Sequence, residues 1–218
     1  MKCKHEICTM QILLIAATDH EIEPFIAGHP QIDILITGIG IPSTLYHLQK
    51  RIHQMTYDLI IQAGIAGSFN SQIALGQTVF VKQDCFADLG FEVKENYMPI
   101  FETELVNKNE FPFEKGWLIN STDNLTDLNL SAVKAITVNK VSDSALQKQQ
   151  FISSFNADIE TMEGAALHYV CLQEKIPFLQ IRSVSNTVGE RDKSKWMMTE
   201  AIVNLNSTLL KLIKGLTA

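Results

Sequence analysis

The amino-acid sequence predicts an α/β protein: a single-domain, three-layer α/β/α arrangement with a mostly parallel central mixed sheet. Short apolar runs bounded by turn residues alternate with helical patterns along the chain. The runs are continuous rather than alternating, as strands covered on both faces require. No proline- or glycine-rich linker divides the 218 residues, of which 46% are hydrophobic, so one core over residues 1–218 is expected.

The first strand is expected over residues 11–17, and Thr18-Asp19-His20-Glu21 ends it and starts a short helix with Asp19 as its cap. A second strand over 32–37 closes on Gly38-Ile39-Gly40, and Pro42-Ser43-Thr44 open a helix reaching Met55. This is half of a dinucleotide fingerprint, without its third glycine and without the acidic residue expected downstream. Residues 58–62 form a third strand, followed by a second glycine turn, Gly64-Ile65-Ala66-Gly67. Residues 75–81 form a fourth. Residues 91–116 carry Phe91, Tyr97, Phe101, Phe111 and Phe113 without periodicity and read as an irregular excursion, a lid or an interface. Strand character returns at 117–120 and 132–141. A helix over 144–155, capped by Asp143 or Ser144, leads to a short extended segment at 158–160. Glu163 opens the next helix, Ser185 and Asn186 follow a strand over 178–184, and a packing helix is expected over 193–216.

Composition narrows the function. A net charge of −6 provides no basic field for nucleic acid or an anionic membrane, so the expected partner is a small molecule. No run approaches the roughly 20 apolar residues that span a bilayer, and the short apolar segment near the N-terminus lacks the length of a secretion signal. Cys3, Cys8, Cys85 and Cys171 show neither paired spacing nor histidine neighbours, so reduced thiols in the cytoplasm, with no metal and no cofactor, are expected. Arginine occurs only at 51, 182 and 191.

The polar residues at predicted strand ends are the candidates for chemistry, because ligands of open α/β sheets sit outside the carboxyl ends of strands. Each also has a structural reading. Glu21 suits the first turn of a helix whatever else it does. Asn186 tolerates turn geometry. Arg182 inside a strand is either a ligand contact or the buried partner of a carboxylate such as Glu163. Arg191 either meets an anionic part of a ligand or pairs with Asp192. Phe86, Phe91, Met162 and Trp196 can sandwich a flat ring or pack in the core.

Taken in order, Ala17-Thr18-Asp19-His20-Glu21, Thr37-Gly38-Ile39-Gly40, Ala63-Gly64-Ile65-Ala66-Gly67, Met162-Glu163-Gly164-Ala165 and Arg182-Ser183-Val184-Ser185-Asn186 resemble the nucleoside phosphorylase and nucleosidase superfamily over nearly the full chain. Within it, Asp88-Leu89-Gly90-Phe91-Glu92, Thr161-Met162-Glu163-Gly164 and the run from Ser185 to Asp192 are similar to the futalosine hydrolase branch, which removes hypoxanthine from its nucleoside. The resemblance implies a nucleoside phosphorylase-like fold, a small-molecule nucleoside substrate and a homo-oligomer. It implies Glu21 as the base that activates water and Met162 and Glu163 as ribose contacts. Asn186 would hold the purine, with Ser185, Gly64, Ile65, Ala66, Gly67, Arg182 and Arg191 as further substrate contacts. An amide at 186 can accept from protonated N7 and donate to a 6-oxo group, which suits hypoxanthine over adenine. The alternatives are a methylthioadenosine/adenosylhomocysteine nucleosidase, a purine nucleoside phosphorylase, and a catalytically silent nucleoside-binding protein on the same fold.

Overall fold

A computed structural model describes residues 10–28, 31–94, 96–122 and 129–217. Cys3, Cys8, His5 and His29 lie outside the described residues. The elements run in the order β1 (Ile12–Ala16), α1 (Asp19–Gly28), β2 (Asp33–Ile36), α2 (Ile41–Ile52), β3 (Leu59–Ser68), β4 (Thr78–Asp84), β5 (Gly90–Val93), β6 (Asn96–Pro99), β7 (Leu118–Ile119), β8 (Ser131–Thr137), α3 (Ala145–Phe155), β9 (Ile159–Thr161), α4 (Gly164–Glu174), β10 (Phe178–Thr187) and α5 (Met198–Thr217).

Eight strands form one mixed sheet, in which β1, β2, β3 and β10 run parallel to one another and β4 and β9 supply antiparallel pairings with β10 and β3. The sheet closes on itself. Strand β3 pairs with β10, β10 with β4, β4 with β8, β8 with β9, and β9 with the far end of β3.

Period-two alternation along the buried strands explains the layers. Leu14, Ile61, Leu179 and Ile181 pack on Ile22 and Phe25 of α1 and on Leu205, Leu209 and Leu212 of α5. Their neighbours Leu13, Ile15, Ile60 and Phe178 face the other way, onto Leu48 of α2 and Leu167 and Val170 of α4. The expected α/β/α sandwich is therefore present, with its central sheet curled at one end.

That curl corrects several expected boundaries. Residues 64–67 are not a turn but part of β3, since the strand continues to pair with β10 on one side and β9 on the other through Ser68. For the same reason β10 extends past Val184, and Ser185 and Asn186 lie within it, at a register shift opposite Ala66 and Gly67. The excursion is partly regular: β5 and β6 form a two-stranded hairpin, and a 3₁₀ turn over Ile100–Glu102 follows. Phe101 and Phe113, 4.7 Å apart between ring centroids, pack the remainder toward Tyr169. The last helix starts at Met198 rather than near 193. Asp192 caps a 3₁₀ turn over Lys193–Lys195, and the amide of Met197 donates to the carbonyl of Ser185 at 2.8 Å. Ser144, not Asp143, caps α3, accepting from the amide of Gln147 at 3.2 Å. Among the described residues no helix is long and apolar enough to cross a membrane.

Candidate active site

The carboxyl ends of β1, β3 and β10, with β9 and the start of α4, surround a cavity of about 350 Å³. Glu21, Ile65, Ala66, Gly67, Met162, Glu163, Ser185, Asn186 and Arg191 all line it. Gly64 and Arg182 are not among the residues that line it. Met162 and Trp196 line the space as well, whereas Phe86 packs with Phe113 and Tyr169, and Phe91 lies on the β5–β6 hairpin.

Glu21 stands in the first turn of α1, only 8% exposed. Its Oε2 accepts from the amide and hydroxyl of Thr18 at 3.0 and 3.1 Å, which is half of a capping box. Its Oε1 reaches across the sheet to accept from the amide of Ile65 at 3.1 Å. The structural reading of Glu21 as a helix-start residue is thus correct, and the same bonds aim its carboxylate at the cavity. Behind it, the side chain of Asn206 on α5 donates to the Glu21 carbonyl at 2.9 Å and accepts from the Phe25 amide at 3.0 Å.

Glu163 is the N-cap residue of α4 and is 5% exposed. Its Oε1 accepts from the amide of Gly40 at 3.1 Å, and its Oε2 lies 3.6 Å from Nη1 of Arg182. Gly40 holds a left-handed φ of 89°, which a residue with a side chain adopts only under strain, so the glycine turn after β2 serves to present this amide. Burial raises the Glu163 pKa; the Arg182 charge and the Gly40 amide oppose that shift, and Glu21 adds to it. Arg182, 1% exposed, also donates through Nη2 to Oε1 of Gln62 at 2.9 Å. Of its two predicted uses, the buried pairing with Glu163 is the one it makes. Gly64 sits beside it in register, and a Cβ there would overlap Nη1 of Arg182.

Also lining the cavity is Asn186, whose Oδ1 accepts from the hydroxyl of Ser185 at 2.8 Å and whose Nδ2 donates to the carbonyl of Thr187 at 3.0 Å. The carbonyl oxygen retains a lone pair and the amide nitrogen a second proton. Arg191 lies 3.7 Å from Asp143 and donates to the Val141 carbonyl at 3.2 Å; its acidic neighbour is Asp143 where Asp192 was the pairing weighed from sequence.

Sequence reasoning missed Asn206, Ser142 and Glu160. Glu160 lines the cavity at 6% exposure, accepting from the amide and hydroxyl of Ser142 at 3.0 and 2.5 Å. The one available signal was a carboxylate in the middle of a three-residue strand between buried Ile159 and Thr161. Asn206 left none, since an asparagine on an otherwise apolar helix face shows its role only when the helix it touches is known.

Residues 11–214 match the family model described as the phosphorylase superfamily, and the chain belongs to that superfamily. Among individual relatives, the futalosine hydrolase of Thermus thermophilus is 28% identical over 184 residues, covering 82% of this chain and 80% of that one. The futalosine hydrolase of Streptomyces coelicolor is 28% identical over 83% of this chain and 77% of its own length. The 5′-methylthioadenosine/S-adenosylhomocysteine nucleosidase of Buchnera aphidicola is also 28% identical, over 84% of this chain and 77% of its own. The fold is shared with the Colwellia psychrerythraea nucleosidase of that name, solved in complex with adenine, at a TM-score of 0.75 and 20% identity, covering 95% of this chain and 96% of that one. The Helicobacter pylori futalosine hydrolase superposes at 0.76 with 16% identity, covering 94% and 98%.

Proposed function

We propose that this protein is a nucleosidase that hydrolyses the N-ribosyl bond of futalosine, releasing hypoxanthine and dehypoxanthinyl futalosine in cytoplasmic menaquinone biosynthesis. The observation that carries the reading is the pairing, across one cavity, of a carboxylate wall with an amide at position 186. Relatives named futalosine hydrolase support the substrate.

In the proposed reaction Glu21 takes a proton from water as its oxygen attacks the anomeric carbon. The bond from that carbon to purine N9 breaks, and its electrons pass into the ring. N7 takes a proton from solvent as the bond breaks, the Asn186 carbonyl accepting from the new N7–H while its NH₂ donates to O6, so the departing base leaves neutral. Glu163 holds the ribose hydroxyls and places negative charge beside the developing oxocarbenium ion. Phosphorolysis is disfavoured because, among the described residues, Arg191 is the one lysine or arginine lining the cavity, and Arg182 is engaged by Glu163.

The methylthioadenosine/adenosylhomocysteine reading has relatives of equal identity behind it. Asn186 argues against it in the orientation that its bonds to Ser185 and Thr187 give it: with N7 facing Oδ1, adenine would set its 6-amino group against the NH₂ of the amide, and unpaired buried donors cost about 1 to 3 kcal/mol. The test is incubation with futalosine, inosine, methylthioadenosine and adenosylhomocysteine, with and without phosphate, followed by identification of the base. Hypoxanthine released from futalosine without phosphate is expected. Adenine as the sole base, or ribose 1-phosphate chemistry, would overturn the proposal.

A further inference from the structure

Helix α4 begins without a cap of its own. Its N-cap residue is Glu163, whose side chain makes no bond to the first turn because its carboxylate is turned to Gly40 and Arg182. The first amides of a helix have no partner within it, and buried ones need an acceptor from elsewhere. Gly164 and Ala165 are both buried. Their acceptors come from two neighbouring strands: the Ala165 amide donates to the hydroxyl of Thr137 on β8 at 2.8 Å, and the Gly164 amide to that of Thr161 on β9 at 3.3 Å. Thr137 and Thr161 are register partners, with their hydroxyl oxygens 3.0 Å apart.

Asp84, at the end of β4, terminates this arrangement. The Thr137 hydroxyl donates to its Oδ1 at 2.9 Å, and the same oxygen accepts from the Cys85 amide at 2.8 Å. A hydroxyl has one proton and two lone pairs. With its proton given to Asp84, Thr137 accepts from both the Ala165 amide and the Thr161 hydroxyl, and Thr161 in turn accepts from Gly164. Every proton in the chain therefore points toward Asp84. The other carboxyl oxygen closes on the helix directly: a Cβ at Gly164 would overlap Oδ2 of Asp84 and Nε2 of Gln180.

We propose that Asp84 and Thr137 are positioning residues for Glu163: with Thr161 they form a cap supplied by the sheet, which fixes the first turn of α4 and so the carboxylate that Glu163 carries into the cavity. This rests on the ribose-holding role proposed above for Glu163. Asp84 and Thr137 do not line the cavity and act through the helix, whereas Thr161 lines it as well.

The experiment is a double-mutant cycle in kcat/KM on the full-length protein, with futalosine and methylthioadenosine, which share the ribose, as substrates. Thr137→Val keeps the shape and removes the hydroxyl. It should lower kcat/KM about tenfold to a hundredfold, since a misplacement of about 1 Å costs up to about a hundredfold. In a Glu163→Ala background the same change should cost less than about twofold, because no carboxylate is left to position. In an Asn186→Ala background it should keep its full cost. Thr137→Ser retains the hydroxyl and should recover most of the loss. An equal loss with and without Glu163, or a serine no better than the valine, would show that Thr137 only packs the fold and would overturn the proposal. Where Glu163→Ala turns over too slowly to follow, the Thr137→Val loss is compared on the cleaved nucleoside and its 2′-deoxy form. It should be smaller on the 2′-deoxy form, which lacks a hydroxyl for Glu163 to hold, and equal losses overturn the proposal. Should Thr137→Val not fold, Asp84→Leu takes its place in the cycle. Failure of the underlying reading looks different: wild type would cleave neither nucleoside, or Glu163→Ala alone would leave kcat/KM unchanged.

Discussion

The amide of Asn206 bridges the Glu21 carbonyl, at 2.9 Å, and the Phe25 amide, at 3.0 Å, the two groups that a helix would join directly across Pro24. A side chain from the last helix thereby bonds backbone groups of the first, including the carbonyl of the residue whose carboxylate faces the cavity. Glu21 is positioned from both ends, by Thr18 and Ile65 at its oxygens and by Asn206 at its backbone.

Replacing Asn206 by leucine should therefore do two things. It removes two buried hydrogen bonds to the backbone, which costs about 1 to 3 kcal/mol in denaturant unfolding. It should also lower kcat on futalosine about tenfold or more with KM little changed, a loss of at least about 1.4 kcal/mol of transition-state stabilisation. A variant of reduced stability with wild-type kcat would show that Asn206 braces the helix without positioning Glu21.

Gly64→Ala tests the wall behind the site. The added methyl would overlap Nη1 of Arg182 and approach Oε1 of Glu21 to 3.0 Å, so the guanidinium must leave Glu163. Overpacking of this kind costs about 1 to 3 kcal/mol, and activity should fall further than stability because both carboxylates are disturbed. Unchanged kcat/KM would contradict this account of the Gly64–Arg182–Glu163 arrangement.

Asn186→Asp should shift the base preference toward 6-aminopurines, since a protonated acid can donate to N7 while its other oxygen accepts from the amino group. The ratio of kcat/KM for futalosine to that for methylthioadenosine is the readout, expected to fall by about tenfold or more. A constant ratio would remove Asn186 from base recognition.

Asp84 carries a prediction about pH. It is fully buried, with Oδ1 accepting from the Thr137 hydroxyl at 2.9 Å and the Cys85 amide at 2.8 Å, and burial pushes its pKa up to about 7. The folded state thus favours the protonated acid, so the stability Asp84 contributes is present below about pH 4 and is lost as pH rises to about 7. His168, held near 4 by its own burial, titrates in the opposite sense between about 4 and 6.5 and masks the slope in the wild type. The quantity to measure is the difference in unfolding free energy between Asp84→Asn and wild type. It should grow in favour of the variant by up to about 1.4 kcal/mol per pH unit over that window. A difference that does not change with pH would mean that Asp84 is ionised throughout.

Much of this was legible in the chain. Continuous apolar runs identified the strands of the sandwich because burial on both faces leaves that mark in composition. Glu21, Glu163 and Asn186 stood out because each follows or closes such a run. The ends of β3 and β10 were misjudged for a definite reason: glycines at 64 and 67 read as a turn, but pairing on both sides keeps them extended. The β5–β6 hairpin was missed because an exposed two-stranded hairpin needs no apolar run.

By itself, the sequence determined which apolar runs form the buried strands of the sandwich and which polar groups come near their carboxyl ends, since these depend on spacing along the chain. Tertiary structure alone decided that Arg182 spends its charge on Glu163, that Asn206 braces the helix bearing Glu21, and that Glu160 and Asn186 share Gly67 as a neighbour. Those relationships are set by register between strands and by packing between helices far apart in sequence, and periodicity within one strand carries no information about what lies beside it.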